Sequence, residues 1–566
     1  MKFADIPYTR PDMDAAGRFY TDAAERLAAA KSFDEAERVF LDVEDYSAKL
    51  DTSLTVAHIR HDIDTRDEFY DAEAAFIDEA EPKLQEYKQA WDRAMLATPF
   101  RADFERKYNR IMFLNTEISE RTFAPEIVPE LQRENALTTE YSKLLASAQI
   151  PFEGGTYTIS QLTPFKQDAD SARRAAAWKA EDAWYAENAP KLDEIYAELV
   201  QLRTTMGRKL GYDNYIPLGY DRMLRNCYDR DDLARFRSMV LKYSVPAAKR
   251  VYELAAAHLG KTLPLGYTDS AMWYASGNAR PTGTPEEILA SGRRFYHELS
   301  GETAEFIDFM LDNELMDVLS RTGKAGGGYC TTLPEYKSPF IFANFNGTSG
   351  DVEVITHEAG HAFASWMARN IIPDSCRWPT MEGCEVHSMS MEFFAEGWAE
   401  LFFGEAADKF RWQHLADAVT FIPYGTLVDH FQQDCYEHPD YTPEERNARW
   451  LELQSAYMPW LKPEEGLGFY ASGRAWQRQR HIYEMPFYYI DYCLAQTVSL
   501  EFRAMIEHDR DAAWAKYLAY TRPAGTLTFR ELLRQAGLGD PFDEGVLENA
   551  VDAACKWLET HDPEAD

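Results

Sequence analysis

No apolar run in this 566-residue chain is long enough to cross a membrane. The stretch Met1–Pro7 also lacks the apolar core of a secretory leader. Cysteine is scarce. The seven that occur (Cys227, Cys330, Cys376, Cys384, Cys435, Cys493 and Cys555) are scattered and form no C-x-x-C pair. This excludes a disulfide scaffold and predicts reduced thiols in the cytoplasm. Basic residues are outnumbered, 59 Lys and Arg against 94 Asp and Glu, for a net charge of −35. Nucleic acids and anionic membranes are bound through basic faces, so neither is an expected partner. The acid excess predicts a solvated surface.

Helix breakers are missing too. No Pro or Gly occurs between Arg18 and Glu81, and Phe33–Phe40 and Phe69–Phe76 repeat apolar residues at three- and four-residue steps. Long antiparallel helices are predicted from about residue 11 to 108. The pattern breaks at Pro151–Ile159, where alternation around Gly154-Gly155 predicts a hairpin or extended link. Helical character returns over 164–260, and Thr284-Pro285-Glu286-Glu287 places a cap and a proline where a helix starts. The length exceeds one compact core. The expected fold is mostly α: two helical lobes around a deep substrate cleft, with a small β-sheet beside one central helix. The expected division is a helical lobe over 1–190 and a catalytic region over 191–566.

That central helix carries His357-Glu358-Ala359-Gly360-His361, an H-E-x-x-H pattern. On a helix the two histidines leave one face about a turn apart and can share one Zn²⁺. Glu358 is then placed to take a proton from a zinc-activated water, the arrangement of a metallopeptidase. Every other residue from Val354 to Phe363 is uncharged, as a buried metal helix requires. Upstream, Thr348-Ser349-Gly350-Asp351 fits a capping-box start.

A catalytic zinc takes a third protein ligand. A second helix is predicted over Glu382–Phe394, where Glu385 and Glu392 share a face. Two half-buried carboxylates need satisfying partners, which a zinc and its histidines would supply. On chemistry alone Cys384 and His387 rival Glu385 as ligands.

The string Glu385-Val386-His387-Ser388-Met389-Ser390-Met391-Glu392-Phe393-Phe394, with Glu385 24 residues past His361, resembles the M3 peptidases, the thimet oligopeptidase and oligoendopeptidase F family, and the second branch in particular. The resemblance implies one Zn²⁺ per chain held by His357, His361 and Glu385, with Glu358 as base and Glu392 as the acceptor for a zinc histidine. It also implies oligopeptide substrates cleaved at internal bonds.

Two further stretches gain meaning from it. The runs Gly323–Thr332 and Ser338–Gly347, alternating and rich in β-branched and aromatic residues, read as one or two strands ahead of the zinc helix, where a sheet edge could hold substrate as an added strand. Gly328, Phe342 and Asn344 are the expected contacts there; a sheet without a substrate role is the competing reading. The segment Arg480–Tyr492 clusters His481 with Tyr483, Tyr488, Tyr489 and Tyr492. By itself it reads as aromatic packing. The family carries a His- and Tyr-rich segment at this distance, which implies oxyanion stabilisation by His481, Tyr488 and Tyr492 and substrate contact by Tyr483 and Tyr489. A zinc exopeptidase of the carboxypeptidase type and an inactive peptide-binding protein are the alternatives.

Overall fold

In the computed structural model, which describes residues 2–564, the chain opens on three long helices. These are α1 (Met13–Ala29), α2 (Phe33–Ile63) and α3 (Glu68–Ala97). Each starts on a side-chain cap: Asp12 accepts from the Ala15 N–H, Ser32 from Glu35, and Asp67 from Phe69 and Tyr70. Their apolar stripes meet in a core that includes Tyr20, Phe40, Leu54, Ile77, Trp91 and Phe104.

Past this bundle the chain joins a larger core. Helices α4 (Val128–Ala146) and α5 (Ser171–Lys209) place Tyr141, Leu192 and Tyr196 against Trp476 and Tyr483 from the far end of the chain. The expected boundary at residue 190 therefore does not divide two lobes. It falls inside α5, a continuous helix of 39 residues whose flanking Ala189 and Leu192 are buried. The core of the N-terminal bundle runs to Phe113 and also takes in Cys376. Packing on both sides of Pro190 carries the helix through a residue that would otherwise interrupt it. Between α4 and α5 the expected hairpin forms, β1 (Ile150–Phe152) against β2 (Gly155–Tyr157). Its turn residues Glu153 and Gly154 have φ of 47° and 80°, the primed-turn geometry that matches strand twist.

Ahead of the H-E-x-x-H helix lies a sheet of three strands: β3 (Met316–Leu319), β4 (Tyr329–Leu333) and β5 (Ser338–Phe345). The order is β3-β5-β4, with β5 parallel to β3 and antiparallel to β4. Strand β3 was not anticipated, because four residues are too few to show a period. Strand β4 is an edge, paired on one side only.

The H-E-x-x-H helix, α6 (Gly350–Ala368), packs on β5, and α7 (Met381–Ala395) packs across α6. The expected capping box is absent. Ser349 is itself helical, and the Asp351 carboxylate turns back to accept the N–H groups of Asn346 (2.7 Å) and Gly347 (2.8 Å), closing the loop from β5. Gly360 sets how closely the two helices meet. A Cβ there would lie 2.6 Å from the Ser388 Cα and 2.8 Å from the His387 carbonyl oxygen. Gly360→Ala is therefore expected to force the helices apart and cost about 1–3 kcal/mol, read as a lower denaturant midpoint at unchanged m-value.

Two further long helices, α8 (Ala407–Glu437) and α9 (Tyr489–Thr521), complete the half that carries the motif, both packing together and α9 also against α7. The fold is thus mostly α with small sheets, as expected. Among the described residues no helix is long and apolar enough to cross a membrane. All seven cysteines are free.

Candidate active site

The close crossing of α6 and α7 brings His357, His361 and Glu385 together, with one ligating atom from each lying within 4.8 Å of the others. The Glu385 Oε2 atom is 3.2 Å from the His357 Nε2 and 3.3 Å from the His361 Nε2. A tetrahedral ion with bonds of roughly 2.0–2.1 Å holds its ligand atoms about 3.3 Å apart, so these two separations suit zinc. Cys384 donates instead to the Pro379 carbonyl (3.3 Å), and His387 is fully buried outside the cluster. Burial drives the His387 imidazole down to about 3, so it stays neutral.

Each of the three is itself held. Tyr488 donates its O–H to the Glu385 Oε1, and the Ser388 hydroxyl donates to Oε2 at 3.0 Å. Glu385 has no exposed surface; burial pushes its pKa up, but the His361 and His357 imidazoles outweigh this and keep it ionised. His357 Nδ1 contacts the Glu392 Oε1 at 2.6 Å, which leaves its Nε2 lone pair for a metal. Glu392 Oε2 meets His414 Nε2 at 2.9 Å, His414 Nδ1 meets Glu396 Oε1 at 2.9 Å, and Arg503 reaches the other Glu396 oxygen at 2.8 Å. With a carboxylate on each nitrogen, His414 donates to both only as the imidazolium; burial alone would lower its pKa, but the bonds from Glu392 and Glu396 raise it well above the usual value.

The cluster opens into a cleft of about 620 Å³. Glu358 lines it, and burial raises its pKa. Gly328 faces it: a Cβ there would be 3.3 Å from the Glu358 Oε1, so only glycine leaves this carboxylate unobstructed. The edge strand β4 contributes Tyr329, Cys330, Thr331 and Thr332 to the same wall. On the opposite side stand His481, Tyr488 and Tyr492. The Gln479 amide donates to His481 Nδ1 (2.9 Å), which puts the imidazole proton on Nε2, 3.4 Å from the Tyr492 oxygen. Burial lowers His481 to about 4, so the ring is neutral at physiological pH.

Four sequence-chosen residues stand elsewhere. Phe342 is fully buried and stacks on Tyr329. Tyr483 is fully buried, stacks on Tyr141 and donates to the Leu192 carbonyl. Neither can touch substrate. Asn344 donates to the carbonyls of Ala325 (2.9 Å) and Gly327 (2.8 Å) and so fixes the glycine loop. Tyr489 packs behind His481 against Phe421 and Tyr424. These four shape the walls from behind.

Solved structures share this architecture end to end. A structure described as an oligoendopeptidase F superposes with a TM-score of 0.97 at 42% identity, over 99% of each chain. A PZ peptidase A structure with an inhibitor gives 0.98 at 41% identity over the full length of both. A Bacillus anthracis protein described as an oligoendopeptidase F gives 0.93 at 40%, covering 99% of this chain and 98% of that one. The model of the peptidase M3 N-terminal domain matches residues 3–123, and that of peptidase family M3 matches 303–551. The chain belongs to peptidase family M3. Its branch is that of oligoendopeptidase F. No curated protein matches it.

In this M3 peptidase, sequence reasoning missed His414, Gln479 and Arg480. A lone histidine within a buried helix carries no spacing signal, and Gln479 acts through one amide. Arg480 bridges the Gly326 carbonyl and the Ser142 hydroxyl (3.1 Å), tying the glycine loop to α4. Such long-range partners leave no local trace.

Proposed function

We propose that this M3 peptidase is a zinc-dependent endopeptidase acting on short, unstructured oligopeptides, with one Zn²⁺ per chain. The observation that carries the reading is the convergence of His357, His361 and Glu385 at ligand spacing, with Glu358 beside them in one cleft. When bound, zinc supplies Lewis-acid activation of a water and of the scissile carbonyl. Glu358, unpaired and facing the cleft, takes the water's proton and later passes it to the leaving amine. Tyr492 accepts from His481 Nε2–H and lies beside the Tyr488 hydroxyl; its O–H turns to the carbonyl oxygen as negative charge develops there. Tyr488 has its O–H committed to Glu385 and acts by orienting that ligand. The unpaired edge of β4 offers backbone N–H and C=O groups to an extended peptide, which gives affinity with little side-chain choice. Substrate would be excluded when folded, since a cleft of about 620 Å³ admits an extended chain rather than a domain. Seven free thiols fit a reducing compartment, and the place of work we assign is the cytoplasm.

An internally quenched peptide of roughly ten residues, blocked at both ends, tests the reading. Internal cleavage by the zinc-loaded protein, located by mass spectrometry, is the expected result. An exopeptidase would leave such a peptide intact and trim only its unblocked form, and an inactive binding protein would cut neither.

The Glu392 contact makes a separate prediction. Glu392→Ala frees the His357 ring and strands His414 beside Glu396. Zinc affinity is expected to fall about 10–100-fold, measured by competition with a chromophoric chelator. Unchanged affinity would reduce Glu392 to a packing residue.

A further inference from the structure

The turn that delivers Tyr488 to Glu385 is held against its own backbone preference. Phe487 joins the short helix Arg480–Glu484, which carries His481, to α9, which carries Tyr492. Its φ is 70°, a left-handed conformation that a bulky aromatic residue keeps only when its surroundings impose it. Three contacts impose it. The Phe487 N–H donates to the Gln432 Oε1 on α8 at 3.1 Å. The Phe487 carbonyl accepts from the Arg225 Nη2. The ring is fully buried among Tyr215, Tyr220 and Tyr436, and it lies over Gly219, where a Cβ would stand 2.6 Å from it.

Arg225 comes from 262 residues earlier in the chain and follows Leu224, which is itself left-handed at φ 52°. The guanidinium is buried and lies 4.3 Å from the centre of the Tyr220 ring. The same Nη2 also donates to the Asp491 Oδ1, at 3.1 Å, in the first turn of α9. Among the described residues the Arg225 Nε and Nη1 find no hydrogen-bond partner. The side-chain hydrogen bonds of this buried cation therefore go to residues 487 and 491, on either side of Tyr488. Backbone strain and unmet buried donors together mark a segment whose placement matters more than its stability.

We propose that Arg225, with Gln432, is a positioning residue for the metal site. By holding both polar groups of Phe487, the pair fixes the left-handed turn from which the Tyr488 O–H reaches Glu385. Neither Arg225 nor Gln432 lines the cleft, so both act through Tyr488. The proposal rests on the zinc reading and names the residues that set one of the three zinc-holding side chains.

The test is a double-mutant cycle read as zinc affinity, by competition with a chromophoric chelator. Asp491→Asn is the reference, so that removing Arg225 strands no buried carboxylate. Adding Arg225→Met to it is expected to lower zinc affinity about 10-fold or more. At saturating zinc, kcat on the end-blocked peptide should fall while KM stays within about twofold, since the cleft walls are untouched. Tyr488→Phe should lower zinc affinity by a similar factor, and Arg225→Met in that background should add no more than about twofold, because both changes act on one O–H. Gln432→Leu keeps Arg225 and carries the same prediction, so it decides the matter if the Arg225 variant does not fold. Unchanged zinc affinity in Tyr488→Phe, or in either folded clamp variant, would overturn the proposal. So would losses that multiply in the Tyr488→Phe background, the mark of general loosening. A wild-type protein that binds no zinc brings down the zinc reading itself. Tight zinc in wild type and variants alike removes the positioning role alone.

Discussion

Glu358→Gln is expected to lower kcat/KM by about 10²–10⁴-fold while zinc content stays at one ion per chain. The amide has nearly the volume of the carboxylate and keeps its hydrogen-bonding shape, but it cannot accept a proton. Glu358 lies outside the trio at ligand spacing, so its loss should not loosen the metal. It faces Gly328 across an unobstructed gap, and no Lys or Arg among the described residues neutralises it. Cleavage of the end-blocked peptide and zinc analysis on the same sample separate the outcomes. A variant that keeps wild-type rate removes Glu358 as the base. A variant that loses zinc would show that the carboxylate helps to hold the ion.

The second large effect is at Glu385. Its Oε2 stands between both imidazoles, and its Oε1 accepts from Tyr488. Glu385→Gln keeps a carbonyl oxygen at the site but removes the negative charge, and the amide N–H₂ would face either Tyr488 or the two histidines. Zinc affinity should fall by more than the roughly 10–100-fold expected for an outer partner such as Glu392. Peptide cleavage should drop below detection at equimolar zinc. Glu385→Ala goes further, because it leaves the Tyr488 hydroxyl without its carboxylate acceptor in a buried position, at about 1–3 kcal/mol for an unsatisfied group, while Ser388 keeps the backbone carbonyl of residue 385. The Gln variant should therefore remain folded by circular dichroism while the Ala variant unfolds at lower denaturant. Zinc binding by Glu385→Gln at wild-type affinity would remove Glu385 from the ligand set and reopen the question of its rivals on α7.

The chemistry was legible because it is local. H-E-x-x-H places two imidazoles on one helical face through the 3.6-residue period alone, and the long helices of the N-terminal lobe show the same period over tens of residues. The candidate ligand Glu385 was legible only in part. Helical spacing put Glu385 and Glu392 on one face of α7 but left Cys384 and His387 in contention. The structure separates them by direction: Cys384 turns to the Pro379 carbonyl and His387 into the core. The tyrosine segment was legible as a cluster and not as a set of roles. Periodicity groups Tyr488 with Tyr492, but whether an O–H meets a ligand or the open cleft depends on where α7 lies. Phe342 and Tyr483 were misjudged for a related reason, since alternation in a strand does not reveal which face a neighbouring helix covers.

What the sequence determined by itself is the helical fold class, the H-E-x-x-H pattern and the candidate base, because each follows from backbone period and residue chemistry within a few turns. Tertiary structure alone decided that one helix runs through residue 190, the tie of Glu392 through His414 and Glu396 to Arg503, and the different hydroxyl partners of Tyr488 and Tyr492. These depend on groups tens to hundreds of residues apart meeting in a medium of low dielectric, where hydrogen-bond direction and buried charge set the energy and chain spacing does not.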